Sequence, residues 1–414
     1  MIKFTNGLVL DKDFNIVKTD VYVEGTKIVK VGGELKADTV YDLKGNLLMP
    51  SFKNAHTHSA MTFARSFADD LPLHEWLNTM IFPMEAKLTG EDIYNLSKLA
   101  FLEYLTSGVS ACFDMYYFPE DMARASVDTG FRTVMCCAIN NFKETPELLE
   151  EYYNKYNNYD ELVSYKLGFH AEYTTSEELM KKIAAIAEKY KAPVFVHASE
   201  TRSEVDGCIE RYGLTPAQLF DKLGIWKYGG AGYHSVWVND EDLEIYKKNG
   251  IWAVINAGSN CKLASGIAPV SKMLKEGVKL AVGTDGPSSN NALDMFREMF
   301  LIAATQKIND MDAASTPAID ILKAATVGSA HCMGLYDCDV IDEGKTADLI
   351  VIDLKRPNMQ PINNILNNLV YSGSKENVKM TMVGGKILYE NGEFLHEDTD
   401  DIYAKAQAVI DRIK

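Results

Sequence analysis

The chain has 414 residues, of which 47% are hydrophobic and 24% are charged, and its formal net charge is −16. This length exceeds one compact core of ordinary size and fits a barrel of roughly 250 to 300 residues with a smaller second domain. The acidic balance argues against a nucleic-acid partner, because affinity for phosphate backbones requires clustered Lys and Arg.

Neither a secretion signal nor a membrane span is predicted. The first residues, MIKFTNGLVLDKDFN, lack the apolar segment and the small-residue cleavage site of a signal peptide, and no apolar run approaches the roughly 20 residues that cross a bilayer. The seven cysteines are odd in number and include no C-x-x-C pair. This pattern indicates reduced, mostly buried thiols, and we therefore expect a cytoplasmic protein without membrane contact.

Short β-strand signals dominate both ends of the chain, with Gly or Asn in their turns. They occupy the first fifty residues (FTNGLVL, VYVEGTKIVKVGG) and return in ADLIVIDL and VKMTMVGGKILYENGEF. We predict that the two blocks, 1–49 and 338–394, pair into one small β-sandwich, and that a helix over 395–414 ends the chain.

Between these blocks, over 50–337, short apolar runs alternate with stretches of helical period, which is typical of βα units in a parallel sheet. Helices are predicted, for example, over 176–191 and 269–277. Eight repeats of strand and helix close naturally into a barrel, so the predicted fold class is α/β, a (β/α)₈ barrel with a composite β-sandwich. The eight apolar runs are NLLMPSFKNAHTH, VSACFDMYY, FRTVMCCAIN, YKLGFHAEY, APVFVHASE, GAGYHSVW, WAVINAGS and KLAVGTDGP.

Five of the eight histidines fall at the C-terminal end of a predicted strand. They are His56, His58, His170, His197 and His234, and Asp285 occupies the same place on the eighth strand. Such ends converge on the face of a parallel barrel that carries the catalytic groups. His56 and His58 point the same way if they lie in a strand, and would chelate one ion; a structural histidine pair is the alternative. With His197 and Asp285 they predict a centre that suits Zn²⁺ and leaves a position for water, although Fe²⁺ shares these ligands.

Glu200 follows His197 by three residues in the segment H-A-S-E, close enough to sit beside the metal without ligating it. A carboxylate near bound water takes its proton and delivers it to the substrate, as the non-ligand Glu of zinc deaminases does. A helix-start glutamate stabilised by the helix dipole is the alternative. His234 would orient the attacking water and stabilise its developing charge. No lysine ends the fourth strand to bridge two ions, so one metal per subunit is expected.

Four segments carry a family resemblance that runs over nearly the whole chain. They are LMPSFKNAHTHSAM, VFVHASETRSEV, YHSVWVNDEDLE and SNCKLASGIAPV…LAVGTDGPSSNNALDMF. These segments resemble the amidohydrolase superfamily, and in particular its methylthioadenosine/S-adenosylhomocysteine deaminase branch. The resemblance implies that zinc is ligated by His56, His58, His197 and Asp285, that Glu200 shuttles protons, and that His234 activates the water, with Asp285 serving in catalysis as well as ligation.

The same resemblance assigns the loop after the first strand, LPLHEWLNTMIFPMEAKLT, to the cover of the substrate pocket. It implies that Trp76 packs against the substrate, that Glu85 accepts hydrogen bonds from ribose hydroxyls, and that His170 bonds a purine ring nitrogen. The alternatives are a surface helix with an amphipathic Trp and a solvated Glu, and a buried structural histidine at position 170. His74, on the same loop, is a further candidate for substrate contact.

One departure from the branch concerns the tail of the substrate. The third strand ends in CCAIN, where the homocysteine-binding relatives supply an arginine for the amino-acid carboxylate, and Arg132 lies at the start of the strand. A carboxylate without a cation is costly to desolvate. The tail is therefore left open.

The resemblance implies a metal-dependent hydrolase of C–N bonds in cyclic amidines, which deaminates an aminopurine. An adenosine-type nucleoside such as 5′-methylthioadenosine or S-adenosylhomocysteine is the expected substrate, and a homo-oligomer is the expected state. The alternatives are deamination of guanine or another free base, triazine hydrolysis, and a non-catalytic barrel used for assembly. The complete ligand set disfavours the last of these.

Overall fold

Seven short strands precede the barrel in the computed structural model, which describes residues 1–67, 69–71 and 75–414. They are β1 (Ile2–Thr5), β2 (Leu8–Leu10), β3 (Ile16–Val17), β4 (Val21–Glu24), β5 (Lys27–Val31), β6 (Thr39–Asp42) and β7 (Leu47–Pro50). One sheet has the order β5-β4-β1-β6, while β3, β2 and β7 belong to a second sheet.

Parallel strands follow and form one eight-stranded sheet in consecutive order within the described residues. They are β8 (Phe52–Thr57), β9 (Val109–Met115), β10 (Arg132–Cys136), β11 (Val163–Ala171), β12 (Val194–Ala198), β13 (Gly230–His234), β14 (Trp252–Ile255) and β15 (Lys279–Val282). The chain after β15 returns to β8, because Asn54 and Thr284 exchange hydrogen bonds of 2.7 and 2.9 Å and the Asp285 N–H donates to the His56 carbonyl at 3.0 Å. The predicted (β/α)₈ barrel is confirmed.

The second sheet joins the two ends of the chain. Its later strands are β16 (Leu349–Ile352), β17 (Val378–Val383), β18 (Lys386–Glu390) and β19 (Glu393–Phe394), and its order is β19-β18-β17-β16-β7-β2-β3. β16 runs antiparallel to β7, with Leu349 opposite Pro50 and Ile352 opposite Leu47. The predicted pairing of the two β blocks is confirmed. The domain limits at 1–49, 50–337, 338–394 and 395–414 stay a prediction.

Ser51 separates two strands that the sequence analysis treated as one run, NLLMPSFKNAHTH. β7 ends at Pro50 and β8 begins at Phe52. The N–H of Ser51 donates to the Asp348 carbonyl at 3.1 Å, whereas the N–H of Phe52 donates to the Gly108 carbonyl at 3.0 Å. The single strand was wrong in this detail, because the backbone changes partners here, from the sandwich to the barrel.

Helices connect the strands, including the two named from the sequence. The helix predicted over 176–191 spans Glu177–Tyr190, the one over 269–277 spans Val270–Glu276, and the last helix is Thr399–Ile413. The Ser176 hydroxyl accepts from the Leu179 N–H at 3.3 Å, as an N-cap does. The remaining α-helices are Phe82–Glu85, Gly90–Thr106, Pro119–Thr129, Pro146–Tyr156, Arg202–Tyr212, Pro216–Lys222, Asp240–Asn249, Ala257–Lys262, Met295–Asp310, Ala318–Lys323, Ser329–Met333 and Ile365–Tyr371, and tighter or wider helical turns span Ser59–Ala64, Trp76–Ile81, Glu172–Thr174, Ala324–Gly328, Pro357–Met359 and Lys375–Asn377.

Aromatic side chains fill the middle of the barrel. Phe113 and Phe195 pack edge to face with ring centroids 4.5 Å apart, and Tyr233 lies 6.1 Å from Phe113. All three are almost completely buried. The Tyr233 ring also stacks on His56 with centroids 3.8 Å apart. The barrel interior is thus a packed core, and its aromatic rings contact His56 near the C-terminal ends of the strands.

Two further sequence predictions concern the whole chain. Within the described ranges, no helix is both long and apolar enough to cross a membrane. All seven cysteines are free, and six of them are buried, the exception being Cys261. The observed thiols match the prediction of a chain without disulfides.

Candidate metal centre and substrate pocket

Four side chains from the C-terminal ends of barrel strands converge on one point. The ligand atoms of His56 (β8), His197 (β12), His234 (β13) and Asp285 (after β15) all lie within 4.8 Å of one another, and the four residues are buried. His58, one residue beyond β8, joins them with its Nε2 3.2 Å from Asp285 Oδ1. The structure thus brings the four predicted ligands together and adds His234 to the same cluster.

Backbone carbonyls fix the orientation of two imidazoles. His58 Nδ1 lies 2.7 Å from the Met115 carbonyl, and His197 Nδ1 lies 2.6 Å from the His170 carbonyl. Because a carbonyl oxygen only accepts, each Nδ1 carries a proton and each Nε2 faces the cluster. Metal-ligating histidines are commonly held in this way through their second nitrogen.

Asp285 divides its carboxylate between two kinds of partner. Oδ2 accepts hydrogen bonds from the hydroxyls of Ser259 and Ser289, at 2.7 and 2.6 Å. Oδ1 lies 3.4 Å from His56 Nε2 and 3.2 Å from His58 Nε2. Burial opposes the negative charge, but the neighbouring imidazoles of His56 and His58 hold the pKa of Asp285 well below its ordinary value. The group is therefore ionised, as a metal ligand must be.

His56 provides the test of whether a metal fits. Its side chain is fully buried, and neither ring nitrogen has a hydrogen-bond partner among the described residues. Burial lowers the pKa of His56 to about 3, so the ring is neutral. A buried polar atom left unsatisfied costs about 1–3 kcal/mol, and an ion in the cluster would satisfy it. Imidazole nitrogens with one carboxylate are a donor set that fits a divalent metal ion.

Backbone strain accompanies two of these residues. His234 has φ of 71° and Asp285 has φ of 59°, the left-handed region that residues other than glycine seldom adopt. Such conformations cost of order 1–3 kcal/mol and cluster at functional sites. Both strained residues belong to the metal cluster, His234 as the last residue of β13 and Asp285 shortly after β15.

Glu200 and His234 face each other beside the cluster. Glu200 Oε2 lies 3.8 Å from His234 Nε2, and both side chains are buried. His234 Nδ1 is 2.8 Å from Asn260 Oδ1, which places a proton on Nδ1 and turns Nε2 towards Glu200. Burial raises the pKa of Glu200 above its ordinary value, although the charge of His234 opposes this. A carboxyl group tuned upward beside a metal cluster is suited to proton transfer near neutral pH.

A cavity of about 650 Å³ opens over the cluster, and its wall includes Trp76, Glu85 and His170 of the predicted set. Trp76 and Glu85 are only 5% and 8% exposed. The alternative of a solvated surface helix is therefore wrong for these two side chains. His74 lies outside the described residues.

Two partners of Glu85 were not found from the sequence. The Tyr116 hydroxyl donates to Glu85 Oε1 at 2.7 Å, and Lys143 Nζ lies 3.5 Å from Oε2. Lys143 also sits over the Tyr117 ring at 4.1 Å. Tyr116 directly follows β9, so its place at a strand end was a usable signal. Lys143 lies in the loop between β10 and the helix Pro146–Tyr156, away from the strand ends at which candidate residues were predicted.

His170 and Arg132 lie where the sequence analysis put them, one at each end of the barrel. His170 Nδ1 is 2.8 Å from the Thr174 hydroxyl, and burial lowers the pKa of His170 to about 4. Arg132, at the start of β10, pairs with Asp348 at 3.3 Å. The neutral imidazole is in the pocket, whereas Arg132 is not among the residues that line it.

Comparison with known proteins places the chain in a family. The model of the amidohydrolase family matches residues 47–388. The chain belongs to the amidohydrolase family. This amidohydrolase is 38% identical to a 5-methylthioadenosine/S-adenosylhomocysteine deaminase of Caldanaerobacter subterraneus subsp. tengcongensis, over 98% of the chain and 96% of the relative. It is 36% identical to a 5′-deoxyadenosine deaminase of Methanothermobacter thermautotrophicus, over 95% and 94%.

A solved structure is also similar to this amidohydrolase over its whole length. It is an adenosine deaminase from Xanthomonas campestris with bound zinc, 30% identical, with a TM-score of 0.94. The alignment covers 100% of the present chain and 98% of the other. Family, fold and the buried His/Asp cluster agree on a divalent-metal centre at the C-terminal end of the barrel.

Proposed function

We propose that this amidohydrolase is a metal-dependent aminohydrolase that deaminates the purine ring of an adenosine-type nucleoside, such as 5′-methylthioadenosine or S-adenosylhomocysteine, and releases ammonia. The names of the relatives support the reaction class. The observation that carries the proposal is the contact between Glu200 and His234 at 3.8 Å, beside the His/Asp cluster and inside a buried cavity.

The metal we propose is one Zn²⁺ per subunit, held by His56, His58, His197 and Asp285, with Fe²⁺ as the alternative that the same donors accept. When bound, the ion supplies a Lewis acid that lowers the pKa of a water molecule towards neutrality. Elemental analysis of the purified protein tests this assignment. About one equivalent of zinc would support it, iron would favour the alternative, and a protein active without any metal would contradict it.

Two side chains move the protons in this proposal. His234, with its Nδ1 proton held by Asn260, presents Nε2 to the attacking water and orients it. Glu200 takes one proton from that water and gives it to the ring nitrogen beside the amino-bearing carbon as the C–O bond forms. Glu200 then passes the second proton of the water to the amino nitrogen. The C–N bond breaks, ammonia leaves, and the ring keeps a carbonyl oxygen.

The wall of the cavity supports a nucleoside as the substrate. The Glu85 carboxylate offers acceptors for the two hydroxyls of a ribose diol. Its Oε1 already accepts from Tyr116 at 2.7 Å, whereas Oε2 has only the longer contact of 3.5 Å with Lys143. The neutral ring of His170 offers a hydrogen-bonding nitrogen to the purine, and the buried indole of Trp76 offers apolar area to pack against it.

We also propose a cytoplasmic location and a homo-oligomeric state. Six buried, free thiols support a reducing compartment, and self-association is common among soluble enzymes. Cell fractionation and light scattering test the two proposals. A secreted protein or a monomer at micromolar concentration would contradict them.

The experiment that tests the function is a substrate screen. Ammonia release and loss of aminopurine absorbance are measured with adenosine, 5′-methylthioadenosine, S-adenosylhomocysteine, adenine and guanine. Turnover of the nucleosides well above that of the bases supports the proposal. Turnover of the bases alone would favour a free-base deaminase, and no turnover of any aminopurine by metal-loaded protein would contradict deamination.

A further inference from the structure

A second cavity opens at the opposite end of the barrel, where the strands begin. It encloses about 1070 Å³, and its wall holds four lysines, a histidine and the rings of Tyr228, Trp252 and Tyr336, with no Asp or Glu among the described residues that line it. The chain carries 58 acidic against 42 basic residues. A wall without any carboxylate therefore reverses the overall charge locally. We call this the lysine cavity.

Two of its lysines lie on the inner side of the barrel, on strands β11 and β15. Lys166 on β11 lies in register with Cys136, and Lys279 on β15 lies in register with Trp252. Residues in register on parallel strands point to the same side. Cys136 belongs to the barrel interior and Trp252 packs against it, so both lysines lie on the inner side of the sheet at the end where the strands begin. There Lys166 is half-buried, whereas Lys279 is exposed at the rim.

The same end of the barrel holds two other inward cations, and these share one buried carboxylate. Lys53 and Arg132 both contact Asp348, at 3.8 and 3.3 Å, and the side chains of Lys53 and Asp348 are almost fully buried. Asp348 lies one residue before β16. The charges of Lys53 and Arg132 are thus partly compensated by a carboxylate from the sandwich segment. Lys166 and Lys279 have no corresponding acidic partner among the described residues.

Lys166 is the more buried of the two lysines. It is half-buried, and no described residue gives its ammonium group a hydrogen bond or an ion pair. Burial alone lowers the pKa of Lys166, which is what an uncompensated cation in low dielectric does. Lys279 has a long contact of 3.4 Å with the Gly250 carbonyl and lies 5.4 Å from the Trp252 ring. Neither contact neutralises its charge.

The remaining basic side chains of the cavity already have acidic partners. Lys227 pairs with Glu188 at 2.6 Å, and Lys248 pairs with Asp221 at 3.2 Å. His331 pairs with Asp339 at 2.7 Å. The unmet positive charge therefore lies at Lys166 and Lys279.

We propose that the lysine cavity binds a small phosphate-bearing anion, with the phosphate between the ammonium groups of Lys166 and Lys279. Charge-assisted hydrogen bonds from two lysines suit phosphate oxygens, and the Trp252 and Tyr336 rings offer a flat face for a base or ring attached to it. The site is separate from the metal centre. Lys166 precedes His170 by four residues of β11, roughly 13 Å of strand at 3.3 Å per residue, and Lys279 begins β15, whereas Asp285 follows the end of that strand.

The test measures binding to the metal-loaded protein by calorimetry and by thermal shift, with inorganic phosphate, pyrophosphate, AMP and adenosine at matched ionic strength. We compare wild type with Lys166→Met and Lys279→Ala. Lys36→Ala, which removes an exposed lysine that does not line the cavity, is the charge-matched control. Two variants are used so that misfolding of one leaves the other informative, and circular dichroism checks the fold of each.

Saturable binding of phosphate or AMP, weakened at least 10-fold in both lysine variants and unchanged in Lys36→Ala, is the expected result. A higher melting temperature of Lys166→Met in phosphate-free buffer would add support, because an uncompensated buried charge is removed. AMP bound more tightly than phosphate would identify a nucleotide, and equal affinity would identify free phosphate. No saturable binding below 10 mM, or equal binding to wild type and both variants, would overturn the proposal.

Discussion

The carboxylate of Glu204 accepts a hydrogen bond from the backbone N–H of Glu200 at 2.8 Å. Its other oxygen accepts from the N–H of Ser199 at 2.9 Å, and Glu204 is buried. Glu204 thus holds the turn between β12 and the helix Arg202–Tyr212, on which the proposed proton carrier stands. It does not ligate the cluster, and we regard it as a positioning residue.

We expect Glu204→Gln to lower kcat about 10²-fold, because a small misplacement of a catalytic group has effects of that size. The amide keeps only one acceptor oxygen, so one buried N–H loses its partner at a cost of about 1–3 kcal/mol. Kinetics, metal content and urea unfolding measure this. Glu210→Gln, an exposed position on the same helix, is the matched control. Unchanged kcat in Glu204→Gln would show that the carboxylate does not position Glu200.

Glu204 also predicts a pH dependence of stability. Burial, together with the charge of Glu200, raises the pKa of Glu204 from 4.5 to about 8. The folded state therefore favours the neutral acid, so its contribution to the free energy of unfolding is full below pH 4.5 and is lost as the pH rises through 8. We expect wild type to lose stability relative to Glu204→Gln between pH 5 and 9. Parallel curves for the two proteins would contradict the raised pKa.

Glu200→Gln tests the proton carrier directly. The amide keeps the shape of the side chain but cannot take a proton from water, so we expect kcat to fall by about 10²–10⁴-fold with little change in metal content or KM. Because Glu200 is outside the four proposed ligands, elemental analysis should still find the ion. Activity near that of wild type would refute its role.

Glu85→Ala separates nucleosides from free bases. Removing the carboxylate deletes the proposed acceptor for the ribose hydroxyls, and we expect kcat/KM for 5′-methylthioadenosine to fall about 10-fold or more, since a charge-assisted hydrogen bond is worth about 1.5–3 kcal/mol. Any turnover of adenine, which has no ribose, should change little. An equal fall for both substrates would indicate a structural role, which the contact with Tyr116 at 2.7 Å makes measurable by unfolding.

Lys143→Ala tests whether Lys143 binds a carboxylate in the tail of the substrate. Lys143 is the ammonium group next to Glu85, at 3.5 Å, and its side chain is 40% exposed. S-adenosylhomocysteine carries a carboxylate and 5′-methylthioadenosine does not. We expect kcat/KM to fall about 10-fold for the former, equivalent to about 1.4 kcal/mol, and by much less for the latter. Equal changes for the two nucleosides would assign Lys143 to Glu85 alone.

Several features of this protein follow from local sequence. Eight apolar runs alternating with helical stretches predicted the barrel, and the positions of His56, His58, His197 and Asp285 at the C-terminal ends of these runs predicted the metal cluster. Gly and Asn in the turns predicted the two β blocks. Their pairing, seen between β7 and β16, was predicted because each block must bury one face.

Other features depend on contacts between segments that are far apart in the sequence. Lys143 lies 3.5 Å from Glu85, and Asp348 of the sandwich segment pairs with Arg132, whereas the described residues give Lys166 no acidic partner. Periodicity and motif spacing contain no information about which charges share a cavity, because this depends on the closure of the barrel. The sequence by itself determined the fold and the metal cluster, and only the tertiary structure decided which charges around them are paired.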